Sequence, residues 1–184
     1  MVASRQGSRK RFIVLTEGRK DYHFIRGYLQ ERFGKRQVDI TRVDVPDGLG
    51  SGEQRVRERY PRELKARRQR RLDENLWLVV MTDADSLTVE QRRRQLEEAL
   101  EEKEEGPREP GERVVILTPR RNLESWMHWA DGNPPDEETD FKHEYPDGPR
   151  QYEEKAAQRC QQEDTADLAP SLRAACDELD RIQP

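Results

Sequence analysis

The chain has 184 residues, of which 32% are hydrophobic and 39% are charged. This length suits one domain, and no apolar run approaches the roughly 18 residues of a membrane helix, so we expect a cytoplasmic protein without a membrane partner. The net charge is −4, but the charges are unevenly distributed. Residues 1–72 carry 20 basic and 9 acidic side chains, whereas residues 73–184 carry 14 basic and 29 acidic side chains. The basic half suggests a surface facing a polyanion, although solvated helices alone also explain such charge.

Four apolar, strand-like runs alternate with helical patterns along the chain. A basic tail over 1–10 precedes predicted strands at 11–16, 37–45, 76–82 and 113–117. The predicted helices cover 20–33, 88–105 and 123–130. A further helical stretch runs from the glycine-rich turn to about Leu72, with a second helical piece beginning at Pro61. This alternation predicts an α/β fold with a parallel sheet of about four strands flanked by helices. The alternating pattern of the second strand suggests an edge position.

The last third of the chain differs in composition from the domain over 11–130. Residues 131–150 are rich in Pro, Asp, Gly and Glu, and we expect an exposed, mobile loop there. Residues 151–184 form a predicted helical extension whose last helix begins near Pro170. Cys160 and Cys176 match no metal-binding spacing, so we expect free buried thiols rather than zinc or a disulfide.

Acidic residues follow three of the predicted strands. Glu17 ends the first strand and Asp21 lies one helical turn further on, while Asp83 and Asp85 follow the third strand. Glu124 comes early in the helix after the fourth strand. The carboxyl ends of parallel strands meet at one edge of a sheet, where ligands bind, so these five carboxylates are expected to converge. Carboxylate oxygens are ligands for Mg²⁺ or Mn²⁺, and one or two ions would relieve their repulsion.

Each acid taken alone has an ordinary explanation. Glu17 and Asp21 are also typical of helix starts, where acids complement the helix dipole. Glu124 has Arg120 and Arg121 at salt-bridge spacing. It is the combination at three strand ends that favours a metal site.

The stretch Phe12-Ile-Val-Leu-Thr-Glu-Gly-Arg-Lys-Asp21 resembles the first motif of the TOPRIM (topoisomerase–primase) domain, and Val79-Val-Met-Thr-Asp-Ala-Asp85 resembles its Asp-x-Asp motif. The spacing of Glu17 and Asp21 is similar to TOPRIM nucleases of the OLD (overcoming lysogenisation defect) type. Pro119-Arg-Arg-Asn-Leu-Glu-Ser-Trp126 resembles a block of small stand-alone TOPRIM proteins, including RloB-like ones, found near anti-phage genes. The Ser of the OLD-type Ser-x-x-Glu pattern is Arg121 here.

The resemblance covers about residues 10–130 and implies a Rossmann-like TOPRIM fold with Mg²⁺-dependent phosphodiester chemistry. It implies that Glu17 binds metal or acts as a general acid or base, that Asp83 and Asp85 hold the metal, and that Asp21 and Glu124 complete a second metal site. The chain is too short for a topoisomerase or primase, so we expect a nuclease acting on DNA or RNA. A defence role, a separate ATPase or sensor protein and self-association are further expectations.

Basic residues and glycines surround these acids. Arg19 and Lys20 lie between two proposed ligands and are expected to steady a phosphate or a transition state. The arginines over 55–71 are candidates for phosphate contacts or for a solvated helix face. Gly48-x-Gly50-x-Gly52 is expected to be a tight turn beside the site. The alternative function is a non-catalytic TOPRIM-like protein that binds nucleic acid or nucleotides.

Overall fold

The computed structural model describes residues 9–44, 50–162 and 168–182. The strands are β1 (Lys10–Thr16), β2 (Val38–Arg42), β3 (Leu76–Met81) and β4 (Val114–Leu117). The helices are α1 (Arg19–Phe33), α2 (Gly52–Gln69), α3 (Val89–Glu102), α4 (Leu123–Ala130), α5 (Tyr152–Gln162) and α6 (Pro170–Asp180). The prediction of an α/β fold with a four-stranded parallel sheet is confirmed.

The strands form one sheet in the order β2-β1-β3-β4, and every pair is parallel. The second strand is therefore an edge strand, as its alternating pattern predicted. From β1 the chain first moves outward to β2 and then returns past β1 to β3, so the strand order reverses between β1 and β3. In open α/β sheets a crevice opens at such a switch point, outside the carboxyl ends of the two strands.

Both faces of the sheet are covered, as expected of strands with continuous apolar runs. Phe12, Val79 and Val115 point to one face and pack with α1, α4, α5 and α6. Leu15 and Val80 point to the other face and pack with α2 and α3. The sheet is thereby fixed between two layers of helices, and its strand ends are held in constant register.

The helices that follow β2, β3 and β4 begin at side-chain caps. Ser51, Thr88 and Asn122 accept hydrogen bonds from the backbone N–H groups of Gln54, Gln91 and Ser125 at 3.3, 3.1 and 3.2 Å. Such caps satisfy amides that have no partner within the helix. They fix where α2, α3 and α4 begin at the carboxyl edge of the sheet.

Two predictions about helices and loops need correction. The helix α2 continues through Pro61 instead of restarting there, because Val56 and Leu64, on either side of the proline, are buried in the same cluster. The segment 131–150 has no helix or strand, but it is not a wholly exposed loop. Its side chains Phe141 and Tyr145 are buried in the cluster that also contains Trp126.

The expectation of free thiols is wrong, because Cys160 and Cys176 form a disulfide between α5 and α6. Their Cα atoms are 5.6 Å apart, within the usual range for a disulfide. The cysteines are 16 residues apart, a spacing that matches no recognisable pattern in the sequence. They meet because α5 and α6 bury adjacent apolar faces. The cytoplasmic location, which was inferred with reduced thiols, stays a prediction.

A bilayer span would need a longer and more apolar helix than any present in the described ranges.

Replacing Cys160 and Cys176 together by alanine should lower the free energy of unfolding by about 3 kcal/mol, because a cross-link over a loop of this length restricts the unfolded chain by about that amount. Urea unfolding with and without dithiothreitol measures the change. The reductant should destabilise the wild type and leave the double variant unaffected. A wild type insensitive to the reductant would contradict the disulfide.

Candidate metal site at the carboxyl edge of the sheet

The acids after β1 and β3 meet at the switch point. Glu17 Oε1 accepts hydrogen bonds from the Thr82 hydroxyl at 2.7 Å and from the Asp83 backbone N–H at 2.8 Å. These bonds join two parts of the chain that are about 65 residues apart and leave Oε2 without a hydrogen bond among the described residues. Burial raises the pKa of Glu17, and Asp85 adds to this, while the two hydrogen bonds and Arg92 oppose it.

Gly52 brings the first turn of α2 against Glu17. A Cβ atom on Gly52 would lie 2.9 Å from the Glu17 Cβ and 3.0 Å from Oε2. Only glycine permits this approach, which places the positive end of the helix dipole beside the carboxylate. Gly52 lies beside the site as predicted, but as the first residue of α2 and not in a turn, whereas Gly48 lies outside the described residues.

Asp83 lies at the centre of these electrostatic interactions. Its pKa lies well above the usual value, first because of burial and then because of repulsion from Asp21, Glu17, Asp85 and Glu124. Asp83 therefore lies within electrostatic reach of the other four predicted carboxylates, and Asp21 lies within reach of Glu17 and Glu124. Joint binding of a metal by these acids stays a prediction.

Asp21 lies in the first turn of α1 and points back to the site. Its Oδ2 accepts a hydrogen bond from the Gly18 backbone N–H at 2.9 Å. Burial, together with Glu17 and Glu124, raises the pKa of Asp21 to about 6. Asp21 is thus both a helix-start acid and a member of the carboxylate cluster.

Glu124 is buried and already has a cationic partner. Lys20 Nζ donates to Glu124 Oε1 at 2.5 Å, and only 6% of the Glu124 side chain is exposed. The pairing of Glu124 with Arg120 or Arg121, considered from the sequence, does not occur. Lys20 joins the start of α1 to the start of α4 and inserts one positive charge among the acids.

The backbone around Asp85 is held by arginines. Asp85 has a left-handed backbone conformation with a φ of 54°, which is uncommon for a residue with a side chain. Its carbonyl oxygen accepts from Arg120 Nη1 at 3.3 Å and from Arg121 Nη1 at 3.5 Å. Arg120 and Arg121 therefore contact the loop that carries the Asp-x-Asp pair.

Arg92 is a site residue that the sequence did not reveal. It is buried in α3, where its Nε donates to the Asp83 carbonyl at 2.8 Å and its Nη1 to Glu53 Oε2 at 2.6 Å. Its Nη2 lies 4.0 Å from Asp85 Oδ2. Arg92 belongs to a highly charged helix, and nothing in that pattern distinguishes it from its exposed neighbours.

Arg19, by contrast, is exposed and makes no hydrogen bond or ion pair among the described residues.

The chemistry of the site fits a hard divalent cation. Among the described residues, ion pairs within 4 Å join only Glu124 to Lys20 and Asp85 to Arg92. Carboxylate oxygen is the donor that Mg²⁺ and Mn²⁺ take from proteins. Within the described ranges, however, no group of three or more Asp, Glu, His or Cys side chains is placed so that it could hold a metal ion. The donors match the ion in kind and charge but not in their placement.

Comparisons with known proteins give no family: no protein-family model, curated protein or solved structure matches this chain.

We expect Asp21→Asn to stabilise the protein at neutral pH, because it removes a carboxylate that is costly to ionise in the folded state. The folded pKa of about 6 lies above the unfolded value of 3.8, so stability due to this group is full below about pH 4 and is lost as the pH rises through 6. The gain at about pH 7 should reach roughly 3 kcal/mol at most.

Urea unfolding of both proteins at about pH 4 and about pH 7, in EDTA, measures this difference. Asp39→Asn, at an exposed position of β2, is the matched control. Equal stabilities of wild type and Asp21→Asn at both pH values would contradict the prediction.

Gly52→Ala should destabilise the protein by about 1–3 kcal/mol, because the added methyl group would overlap with Glu17. The matched control is Gly106→Ala, where a Cβ meets nothing within 4 Å. Chemical unfolding of the two variants measures the effect. Equal unfolding midpoints would show that α2 does not approach Glu17 so closely.

Proposed function

We propose that this chain is a Mg²⁺- or Mn²⁺-dependent nuclease of TOPRIM type that hydrolyses phosphodiester bonds in nucleic acid. One observation carries the proposal: Asp83 lies at the switch point of the sheet among four further carboxylates, and burial together with their repulsion raises its pKa. Among the described residues only two of these acids have an ion pair, Glu124 with Lys20 at 2.5 Å and Asp85 with Arg92 at 4.0 Å, whereas acids in structural ion pairs are each neutralised. Perturbed acids in a crevice at strand ends favour a functional site.

The residues divide into three roles in this proposal. Glu17, Asp83 and Asp85 would hold the metal, with Glu17 fixed by Thr82 and the Asp83 amide so that Oε2 remains for the ion. When bound, a divalent metal activates water and neutralises charge on the leaving oxygen. Arg19 is exposed at the start of α1 and free to meet a phosphate group. Asp21 contributes charge from the first turn of α1.

The Lys20–Glu124 pair favours one ion over two. Glu124 was the expected ligand of a second metal, but its Oε1 lies 2.5 Å from the Lys20 ammonium. A second ion at Glu124 would have to displace Lys20 from a buried carboxylate, which is costly. The Lys20 ammonium therefore supplies the second positive charge of the site in this proposal.

The second candidate is a non-catalytic TOPRIM-like protein that binds nucleic acid or nucleotides. The same pair supports it, because Glu124 is neutralised without any metal. The arginine contacts to the Asp85 carbonyl likewise stabilise the loop without an ion. An anti-phage role and a separate ATPase or sensor partner remain expectations from the family resemblance.

A cleavage assay with Mg²⁺ and Mn²⁺ on labelled single-stranded and double-stranded DNA and RNA distinguishes the two candidates. Asp83→Asn should lower the cleavage rate at least about a hundredfold, because even supporting partners of metal ligands are worth about 10–100-fold. Asp39→Asn should retain the wild-type rate. Cleavage that survives in Asp83→Asn, or that is absent from the wild type, would remove the catalytic assignment.

Metal binding can be measured separately from cleavage by the electron paramagnetic resonance signal of free Mn²⁺. The wild type should bind one ion, and Asp83→Asn should bind it at least about tenfold more weakly. Binding of an ion without cleavage would select the second candidate. A wild type that binds no Mn²⁺ would contradict both the metal site and the nuclease.

A further inference from the structure

The helix α2 carries a dense set of basic side chains whose two flanks differ. On the flank toward α3, Lys65 pairs with Glu105 at 2.8 Å and Arg68 pairs with Glu112 at 2.7 Å. Arg68 also donates to the carbonyl oxygens of Gly106 and Pro107. This flank is a set of satisfied structural ion pairs, in agreement with the simpler interpretation of the sequence.

The opposite flank of α2 is less well neutralised. Arg59 Nε lies 2.7 Å from Glu63 Oε1 and forms an ion pair with it. Arg70 is exposed and has no side-chain partner among the described residues. Arg67 is only 7% exposed, yet its guanidinium donates to the backbone oxygens of Arg70 and Asp73 and has no carboxylate partner among the described residues. Burial, together with repulsion from Arg113, lowers the pKa of Arg67.

These three arginines line a groove between α2 and the sheet with a volume of about 380 Å³. Its floor is aliphatic and consists of Ile13, Val43, Leu76 and Leu78. Two acids also line it, Asp44 and Glu63, and the second is already paired with Arg59. A cavity of this size with an apolar floor and convergent charged groups is typical of ligand sites.

We propose that this groove binds a single-stranded segment of nucleic acid, with phosphates on Arg59 and Arg70 and a base against the aliphatic floor. The choice of nucleic acid rests on the proposed function. Charge complementarity favours a polyanion, and an apolar floor offers nothing to a duplex, whose bases are stacked inside. Single strands bind where a basic groove tracks the backbone, and their unstacked bases expose apolar faces, which aromatic side chains receive in most such sites and an aliphatic floor would receive here.

The position of the groove connects it to the carboxylate cluster. Gly52, at the start of α2, contacts Glu17, and Arg59 lies seven residues further along the helix. At 1.5 Å per residue the groove begins roughly 10 Å from the cluster. One strand lying along α2 would therefore reach from the groove to the proposed metal site.

Fluorescence anisotropy with a labelled single-stranded oligonucleotide in EDTA tests the proposal without cleavage. The groove variant Arg59→Ala/Arg70→Ala should bind about tenfold more weakly than the wild type. The slope of log affinity against log salt concentration should be less steep by about 1.4, because two phosphate contacts are lost and each contributes about 0.7 for a single strand.

The matched control is Arg26→Ala/Arg94→Ala, which removes the same charge from exposed positions on α1 and α3. Arg94 pairs with Glu98 four residues on, as Arg59 does with Glu63, so each double variant loses one ion pair of the same spacing. The control should bind like the wild type. Equal weakening of the two double variants, or equally strong binding of a duplex by the wild type, would overturn the proposal.

The outcome is independent of catalysis. A wild type that cleaves while the groove variant binds and cleaves normally would refute the groove and leave the nuclease intact. A wild type that binds through the groove but cleaves nothing would refute the nuclease and leave the groove intact. Failure of the wild type to bind any single strand would overturn the groove.

Discussion

Glu17 is the residue through which the two acidic segments of the chain are joined. Its carboxylate accepts from the Thr82 hydroxyl and the Asp83 amide, so the end of β1 is fixed against the end of β3. Because β1 and β3 are neighbours in a parallel sheet, this contact follows from the topology once both strands are buried. Everything else at the site surrounds this junction: α2 approaches it at Gly52, and α1 returns Asp21 to it.

Gathering five carboxylates costs free energy that the fold must offset elsewhere. The raised pKa values of Glu17, Asp21 and Asp83 record that cost. The large apolar clusters on both faces of the sheet supply stability that does not depend on the site. Arginine contacts to the backbone of the Asp83–Asp85 loop hold the acids in place although they repel one another. Arrangements of this kind are typical of functional sites, where local stability is sacrificed.

The sequence predicted the elements whose signals are local. Apolar runs marked the strands, and the acids at their ends converge because parallel strands place equivalent ends at one edge. What the sequence missed depends on distant partners. Lys20 meets Glu124 across 104 residues, and Arg92 is buried only because α3 packs beside the Asp83 loop. Phe141, within a polar segment, and the disulfide between α5 and α6 likewise depend on tertiary packing.

Charge segregation resolves an apparent conflict between the acidic cluster and a polyanionic substrate. The nucleic acid of the proposed function would be repelled by the carboxylate cluster, in which only Glu124 and Asp85 have an ion pair among the described residues, so the cluster alone would not retain it. The arginines of the groove beside α2 would attract the polyanion at a distance from the acids, even before the charge of the acids is neutralised. A divalent cation would then remove the remaining barrier at Glu17 and Asp83. In the proposed function, attraction and chemistry lie at the two ends of one helix, since α2 begins beside Glu17 and Arg70 caps its other end.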